Sequence, residues 1–284
     1  MKKKAIIAIV LILIVLAATL RLTTKNSKLA PIVTPTKSYI ALGDSVGAGV
    51  GLPTNSDTSA CDRTNESYPN LVARTLKYDL NNITCSGATI PAGVLGQQDV
   101  NNLMLPSQIN QLFALPRPDL ISITVGANDI DWVATLGKCY TGKCGATADT
   151  ATIDQHLLSM QENLSSVLTQ LSEHYRPTAP HVIVTSYYQV LPTALVTCAD
   201  MTGIDSAEIN WVRQQQDKLN MTIQNSIGAF TFARFALVDF SNHELCTSNS
   251  WVQGVNDRKP YHPTEEGQSA IAKQIVTTEQ SFNK

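Results

Sequence analysis

Apolar positions fall along this chain in two alternating patterns. Short β-rich runs at 38–42 (SYIAL), 119–129 (DLISITVGAND), 181–187 (HVIVTSY) and 235–240 (FALVDF) read as buried strands, and 81–88 (NNITCSGA) reads as a further short strand entering a glycine turn. Between them, apolar residues recur every three or four positions. The spacing predicts helices over 66–80 (Leu71, Val72, Leu76, Leu80), 152–175 (Leu157, Met160, Leu164, Val167, Leu168, Leu171), 206–230 and 264–280. Asp154 is expected near the start of the second helix, where negative charge suits the helix dipole. Thr264 is expected to cap the last helix, with Glu265 and Glu266 in its first turn. Five strands alternating with helices predict an α/β domain with a five-stranded parallel sheet, whose functional site lies outside the carboxyl ends of the strands.

The first 22 residues depart from this pattern. Lys2, Lys3 and Lys4 precede sixteen uncharged apolar or small residues, Ala5 to Leu20, and Arg21 ends the run. This is an N-terminal signal peptide or signal anchor. The run is short for a full membrane span and long for a cleaved apolar segment, so both readings stand, the second with a membrane tether through residues 5–22. Residues 23–37 read as a linker, and 38–284 as one domain.

Charge changes once the leader is set aside. Six of the 21 Lys and Arg residues fall within the first 30 positions, which hold no acid, so the remainder carries 15 basic against 23 acidic groups, a net of −8. That balance offers no basic face for nucleic acid. All six cysteines (Cys61, Cys85, Cys139, Cys144, Cys198, Cys246) lie beyond the leader, and an even count in an exported chain predicts three disulfides among 15 connectivities. Pairing 61 with 85, 139 with 144 and 198 with 246 closes the shortest loops. No C-x-x-C pair or histidine at ligand spacing supports a metal, and Asp129 with Asp131 is too few ligands for one.

Four features fall on the predicted carboxyl edge: "GDS" after the first strand, "SGA" after the second, "GAND" after the third, and "NDRKPYHPTEEG" before the last helix. Ser45 needs a base within hydrogen-bond reach to act as a nucleophile. Of five histidines, His156 and His174 fall on the surface of a helix, His181 starts a strand and His243 lies in a loop. His262, stiffened by Pro260 and Pro263 and placed just before a helix, is the best base. Asn128, the Gly87 N–H and the Ser45 N–H are candidate donors to an oxyanion. Asp44 is expected to shape the nucleophile loop by bonding to its backbone. Gly47, Gly49 and Gly51 are expected to turn the chain sharply and keep the space beside the hydroxyl clear. The segment 131–149 is expected to place Trp132, Val133 and Leu136 as an apolar wall beside the site.

"ALGDSVGAG", "SGAT", "VGAND" and "YHPTEEG", in that order over residues 38–280, resemble the SGNH (GDSL) hydrolase family. Six cysteines and the tail "CTSNSWVQGV…YHPTEEGQ" resemble its secreted actinobacterial esterase and phospholipase A1 branch. The resemblance implies a flavodoxin-like three-layer α/β/α fold and hydrolysis of carboxylic esters, lipid esters among them, through an acyl-enzyme. It implies Ser45 as nucleophile, His262 as base and an oxyanion hole of Ser45 N–H, Gly87 N–H and the Asn128 side chain, with no metal and no cofactor. It also implies the three sequential disulfides. Many members carry an aspartate three residues before the histidine, where this chain has Lys259. The resemblance favours the Lys259 main-chain carbonyl as the group orienting His262, with Asp257 as the alternative. A monomer outside the cell or at its surface is expected.

Three other readings compete. A dinucleotide fingerprint fails because Leu52 stands where the third glycine belongs. An acyltransferase acting on envelope sugars or lipids would use the same acyl-enzyme. A binding protein would keep the fold without activity.

Overall fold

A computed structural model describes residues 36–53 and 60–282. The expected leader over 1–22, its tether at 5–22 and nearly all of the 23–37 linker lie outside the described residues. Among the described residues, no helix is long and apolar enough to cross a membrane.

The core is a five-stranded parallel sheet. Strands β1 (Ser38–Gly43), β2 (Asp79–Asn82), β5 (Leu120–Thr124), β6 (His181–Thr185) and β7 (Ala233–Ala236) lie in the order β2-β1-β5-β6-β7. Counting only those strands, this is the doubly wound order 2-1-3-4-5, with β1 at the switch point between β2 and β5. Every residue of β5 is buried, as expected of a strand covered on both faces. Two further strands, β3 (Gln98–Val100) and β4 (Leu103–Leu105), form a separate antiparallel hairpin.

Helices α1 (Ser45–Ala48), α2 (Tyr68–Leu76), α3 (Gln108–Phe113), α4 (Trp132–Thr141), α5 (Thr147–His174), α6 (Ser206–Ile227) and α7 (Glu265–Ser281) complete the domain. Helix α2 packs against α7, and α5 packs against α6. The apolar stripe of α5 is buried over its whole length, from Ile153 through Leu171. The three-layer α/β/α fold is therefore the one the pattern predicts.

Boundaries differ where side chains take over from strand pairing. The second strand is 79–82 rather than 81–88; Ile83 and Cys85 still donate to Ala41 and Gly43 of β1, 3.0 and 2.9 Å, and the chain turns away beyond them, with Gly87 at φ 76°. The last strand is 233–236 rather than 235–240. Beyond it the Val238 N–H donates to the Ser186 hydroxyl, 2.7 Å, instead of to a neighbouring strand. Helix α5 starts at Thr147, so Asp149 occupies the first turn and Asp154 instead pairs with Lys218, 2.6 Å. Thr264 does cap α7, its hydroxyl accepting from the Gly267 N–H at 3.3 Å.

Candidate active site

Strand β1 runs into the site through Gly43. Its φ of 144° suits glycine, and an added Cβ would meet the Thr124 carbonyl oxygen at 2.5 Å, so only glycine fits between β1 and β5 here. Asp44 follows and caps α1: its Oδ1 accepts from the Val46 N–H, 2.9 Å. Its Oδ2 accepts from the Tyr187 hydroxyl. Burial pushes the Asp44 carboxyl up to about 7, against these two hydrogen bonds, which favour its ionised form. Asp44 thus shapes the loop from below, and Ser45 is left as the first residue of α1 with its hydroxyl on the cleft side.

The next three glycines do not clear space beside the hydroxyl. A Cβ on Gly47 would meet Thr84, one on Gly49 (φ 79°) would meet Ser67, and one on Gly51 would meet Gln253. They let neighbouring chain pack tightly behind the nucleophile.

His262 reaches Ser45 across 217 positions of sequence, its Nε2 lying 2.8 Å from Oγ. Its Nδ1 lies 3.1 Å from the Pro260 carbonyl oxygen. A carbonyl only accepts, so Nδ1 carries the proton and Nε2 presents its lone pair to the serine hydroxyl. Burial holds the imidazole below its ordinary pKa of 6.5, which favours its neutral form, the one that can accept the serine proton.

The carbonyl within hydrogen-bond distance of Nδ1 is that of Pro260, one residue on from the expected Lys259, whose own carbonyl also favours the charged imidazole. The Lys259 carbonyl accepts the main-chain N–H of His262, 3.3 Å, and so closes a turn with Pro260 second and Tyr261 third at φ 68°. Proline followed by positive φ is the pattern of a type II turn, and here it brings the carbonyl between them to the ring. Asp257 is exposed, and its Oδ2 accepts from the Gly254 N–H, 2.6 Å, so it braces a local turn.

Asn128 lines the same cleft as Ser45 and His262. One of its amide hydrogens is donated to the Ala88 carbonyl, 2.9 Å, and leaves the second for a substrate. Beside it, Asp129 accepts from the Ile90 N–H at 3.0 and 3.2 Å, and burial pushes its carboxyl up to about 6. These two bonds stitch the "GAND" turn to the "SGAT" turn, which carries Gly87. Gly87 is exposed and does not line the cleft floor. Among the described residues, no group accepts from the Ser45 or Gly87 N–H.

The sequence reading missed the side chains that hold these loops together. Buried Gln108 makes a two-way pair with Gly43, accepting from its N–H at 2.8 Å and donating to its carbonyl at 2.9 Å. Buried Gln268 of α7 accepts from the Tyr68 N–H, 2.7 Å, and donates to the Val46 carbonyl, 3.0 Å. Gln253 donates to the Pro263 carbonyl, 3.1 Å, while its backbone pairs with His262 and Tyr261. The Tyr188 hydroxyl donates to the Tyr261 carbonyl, 2.8 Å. The only sequence signal was amide residues inside otherwise helical or loop patterns, which looks the same for a solvated glutamine.

The cleft itself has about 420 Å³ of free space open to solvent, walled by Trp132, Val133, Tyr187, Tyr188, Val190 and Tyr261. Segment 131–149 is mostly helix, not an irregular loop. Trp132 and Val133 border the cleft as expected, whereas Leu136 is fully buried in the core behind it.

The other histidines serve packing. His174 stacks on Phe113 and His181 on Phe282, with His181 also 3.0 Å from Glu279; His243 stacks on Trp251. Nδ1 of His156 lies 4.0 Å from the Asp131 carboxylate. The disulfides are Cys61–Cys85, Cys139–Cys144 and Cys198–Cys246, the sequential set. Asp200 near the last pair completes no metal site there, because both thiols are consumed.

Comparison with known proteins gives one consistent answer. A sequence model of the GDSL-like lipase/acylhydrolase family matches residues 41–270. A lipase of Streptomyces rimosus is 30% identical over 239 residues, covering 81% of this chain and 82% of that one. Lipase 2 of Streptomyces coelicolor is 27% identical, covering 90% of this chain and 91% of that one. Among solved structures, the extracellular lipase of S. rimosus superposes with a TM-score of 0.67 at 27% identity, over 87% of this chain and 99% of that one. Phospholipase A1 of Streptomyces albidoflavus superposes with a TM-score of 0.66 at 27% identity, with the same coverage.

Proposed function

The chain belongs to the GDSL-like lipase/acylhydrolase family and is a carboxylic ester hydrolase, and from that premise we propose that it is an exported serine esterase working through a Ser45–His262 dyad. One observation carries the reading: Oγ of Ser45 lies 2.8 Å from a histidine nitrogen whose partner nitrogen is fixed on a carbonyl. A catalytic carboxylate is not needed to set the tautomer, because the Pro260 carbonyl does so.

The steps follow from the proton positions. As Oγ bonds to the ester carbonyl carbon, its proton passes to Nε2 and the carbonyl oxygen becomes an oxyanion. The Ser45 and Gly87 N–H groups and the spare Asn128 amide hydrogen are the donors for that charge. When the carbon–oxygen bond to the alcohol breaks, Nε2 returns the proton to the departing oxygen and an acyl-serine remains. Water then enters, gives its proton to Nε2 and attacks; the proton returns to Oγ as the acid leaves. The buried Pro260 contact stabilises the imidazolium formed in each half.

The apolar wall supports an acyl chain as the group bound in the cleft, and relatives named lipase and phospholipase A1 support lipid esters as the class. Three disulfides, and the extracellular lipase as a relative, support export. The test is the full chain beside Ser45→Ala and His262→Ala on p-nitrophenyl esters from acetate to palmitate. Both variants should lose about 10³-fold or more in kcat while remaining folded. Equal rates in parent and variants would remove the dyad from the reaction.

A further inference from the structure

Helix α6 presents one face to the segment that follows β6, and two of its polar side chains tie the two together. Arg213 donates to the Leu191 carbonyl. Asn220 makes a two-way pair with the Tyr187 backbone, 2.8 Å in each direction. Gln216 lies between them, three residues after Arg213 and four before Asn220, and so shares their face. Its side chain is 1% exposed and borders the catalytic cleft together with Tyr187, Tyr188 and Val190. Yet neither its Oε1 nor its Nε2 has a hydrogen-bond partner. Among the described residues it is the one buried carboxamide that leaves both its donor and its acceptor unmatched; Gln189 and Gln215 each leave only an oxygen, and neither borders the cleft.

A buried carboxamide with no partner is costly, and the Gln216 amide, whose two polar atoms lie covered just behind the cleft wall, regains partners when a ligand displaces that cover. We propose that Gln216 is a specificity residue: its amide receives a hydroxyl carried by the substrate close to the scissile ester. A hydroxyl both donates and accepts, which is what this side chain lacks on both atoms. The surrounding aromatic and valine side chains hold the hydrocarbon beside it. A plain alkyl ester would leave the amide unmatched, so the site discriminates by the polar group more than by chain length. This inference rests on the serine esterase reading of the same cleft.

The experiment uses the full chain and two substrate pairs: p-nitrophenyl butyrate against p-nitrophenyl 3-hydroxybutyrate, and ethyl butyrate against 2-hydroxyethyl butyrate. The first pair puts the hydroxyl on the acyl side, the second on the alcohol side. In the parent, one hydroxylated ester should exceed its plain partner in kcat/KM by about tenfold or more. Gln216→Leu should bring that ratio close to one, and Gln216→Met should do the same if the leucine variant does not fold. Ratios near one for both pairs in the parent, or a preference that survives both substitutions, would overturn the proposal and leave Gln216 holding only water. Ser45→Ala on the plain esters separates this failure from failure of the dyad.

Discussion

Two helices line the cleft and are held in opposite ways. Helix α1, four residues long, has almost no surface of its own; Val46, Gly47 and Ala48 are all buried. Side chains from distant parts of the chain fix it: Gln108 on the glycine before it, Gln268 on its backbone, Tyr187 on its cap. Helix α4, ten residues long, is anchored by Trp132, Leu136 and Cys139 on one face and tied off by a disulfide only five residues long in sequence, while Val133 stays exposed. The first arrangement tolerates no displacement, as chemistry at Oγ demands. The second permits exchange of individual wall residues. Under the proposed function, catalysis and substrate choice fall to separately supported parts.

The contrast predicts unequal responses. Replacing Gln268 by Leu leaves the buried Tyr68 N–H without an acceptor and frees the Val46 carbonyl from α7, so stability should fall by about 2–3 kcal/mol in denaturant unfolding. kcat should fall with it by about tenfold, since α1 loses its tie to α7. Unchanged kcat in a destabilised protein would show that α1 is positioned by β1 alone.

Removing the α4 disulfide with paired alanines at Cys139 and Cys144 should be milder. The closed loop is short, so its entropic contribution is about 2 kcal/mol. The activity readout should be a changed acyl-length profile rather than a lost rate, because Trp132 and Val133 move but Ser45 and His262 do not. A uniform loss over all esters would contradict the division.

The smallest effect is in pH. His262 must be neutral to accept the serine proton, and burial lowers its pKa, so kcat/KM should rise with pH through a midpoint below 6.5. Two buried carboxyls oppose acid unfolding over the same limb. Asp44 and Asp129 have folded-state pKa values of about 7 and about 6, above their ordinary 3.8, so the native state binds more protons than the unfolded one across that window. Their contribution to stability is complete at low pH and is lost as pH rises toward 7. Activity should therefore fall on acidification while these groups favour the fold. A midpoint above 6.5 would mean that the imidazole gains more from a partner than it loses by burial.

The strands and long helices were legible because their burial writes a period into the sequence, as along Ile153–Leu171 of α5. Ser45, Asn128 and His262 were legible because each sits in a short segment beside glycine or proline at the end of a strand or the start of a helix. A main-chain carbonyl of this turn was expected at His262, but that Pro260 rather than Lys259 lies at Nδ1 was not legible, since it depends on the φ of Tyr261. The glutamine ties were not, because Gln108 and Gln268 each bridge positions 65 or more apart. Helix α4 was not legible, because in a ten-residue helix only Trp132, Leu136 and Cys139 are buried, too few to write a period into the sequence.

The most direct test of the central claim is intact-mass and peptide-mapping mass spectrometry after reaction with a p-nitrophenyl phosphonate ester. The account predicts a single adduct on the peptide carrying Ser45, formed slowly or not at all in His262→Ala and absent in Ser45→Ala. An adduct on another residue, or ester hydrolysis that continues with Ser45 fully labelled, would contradict it.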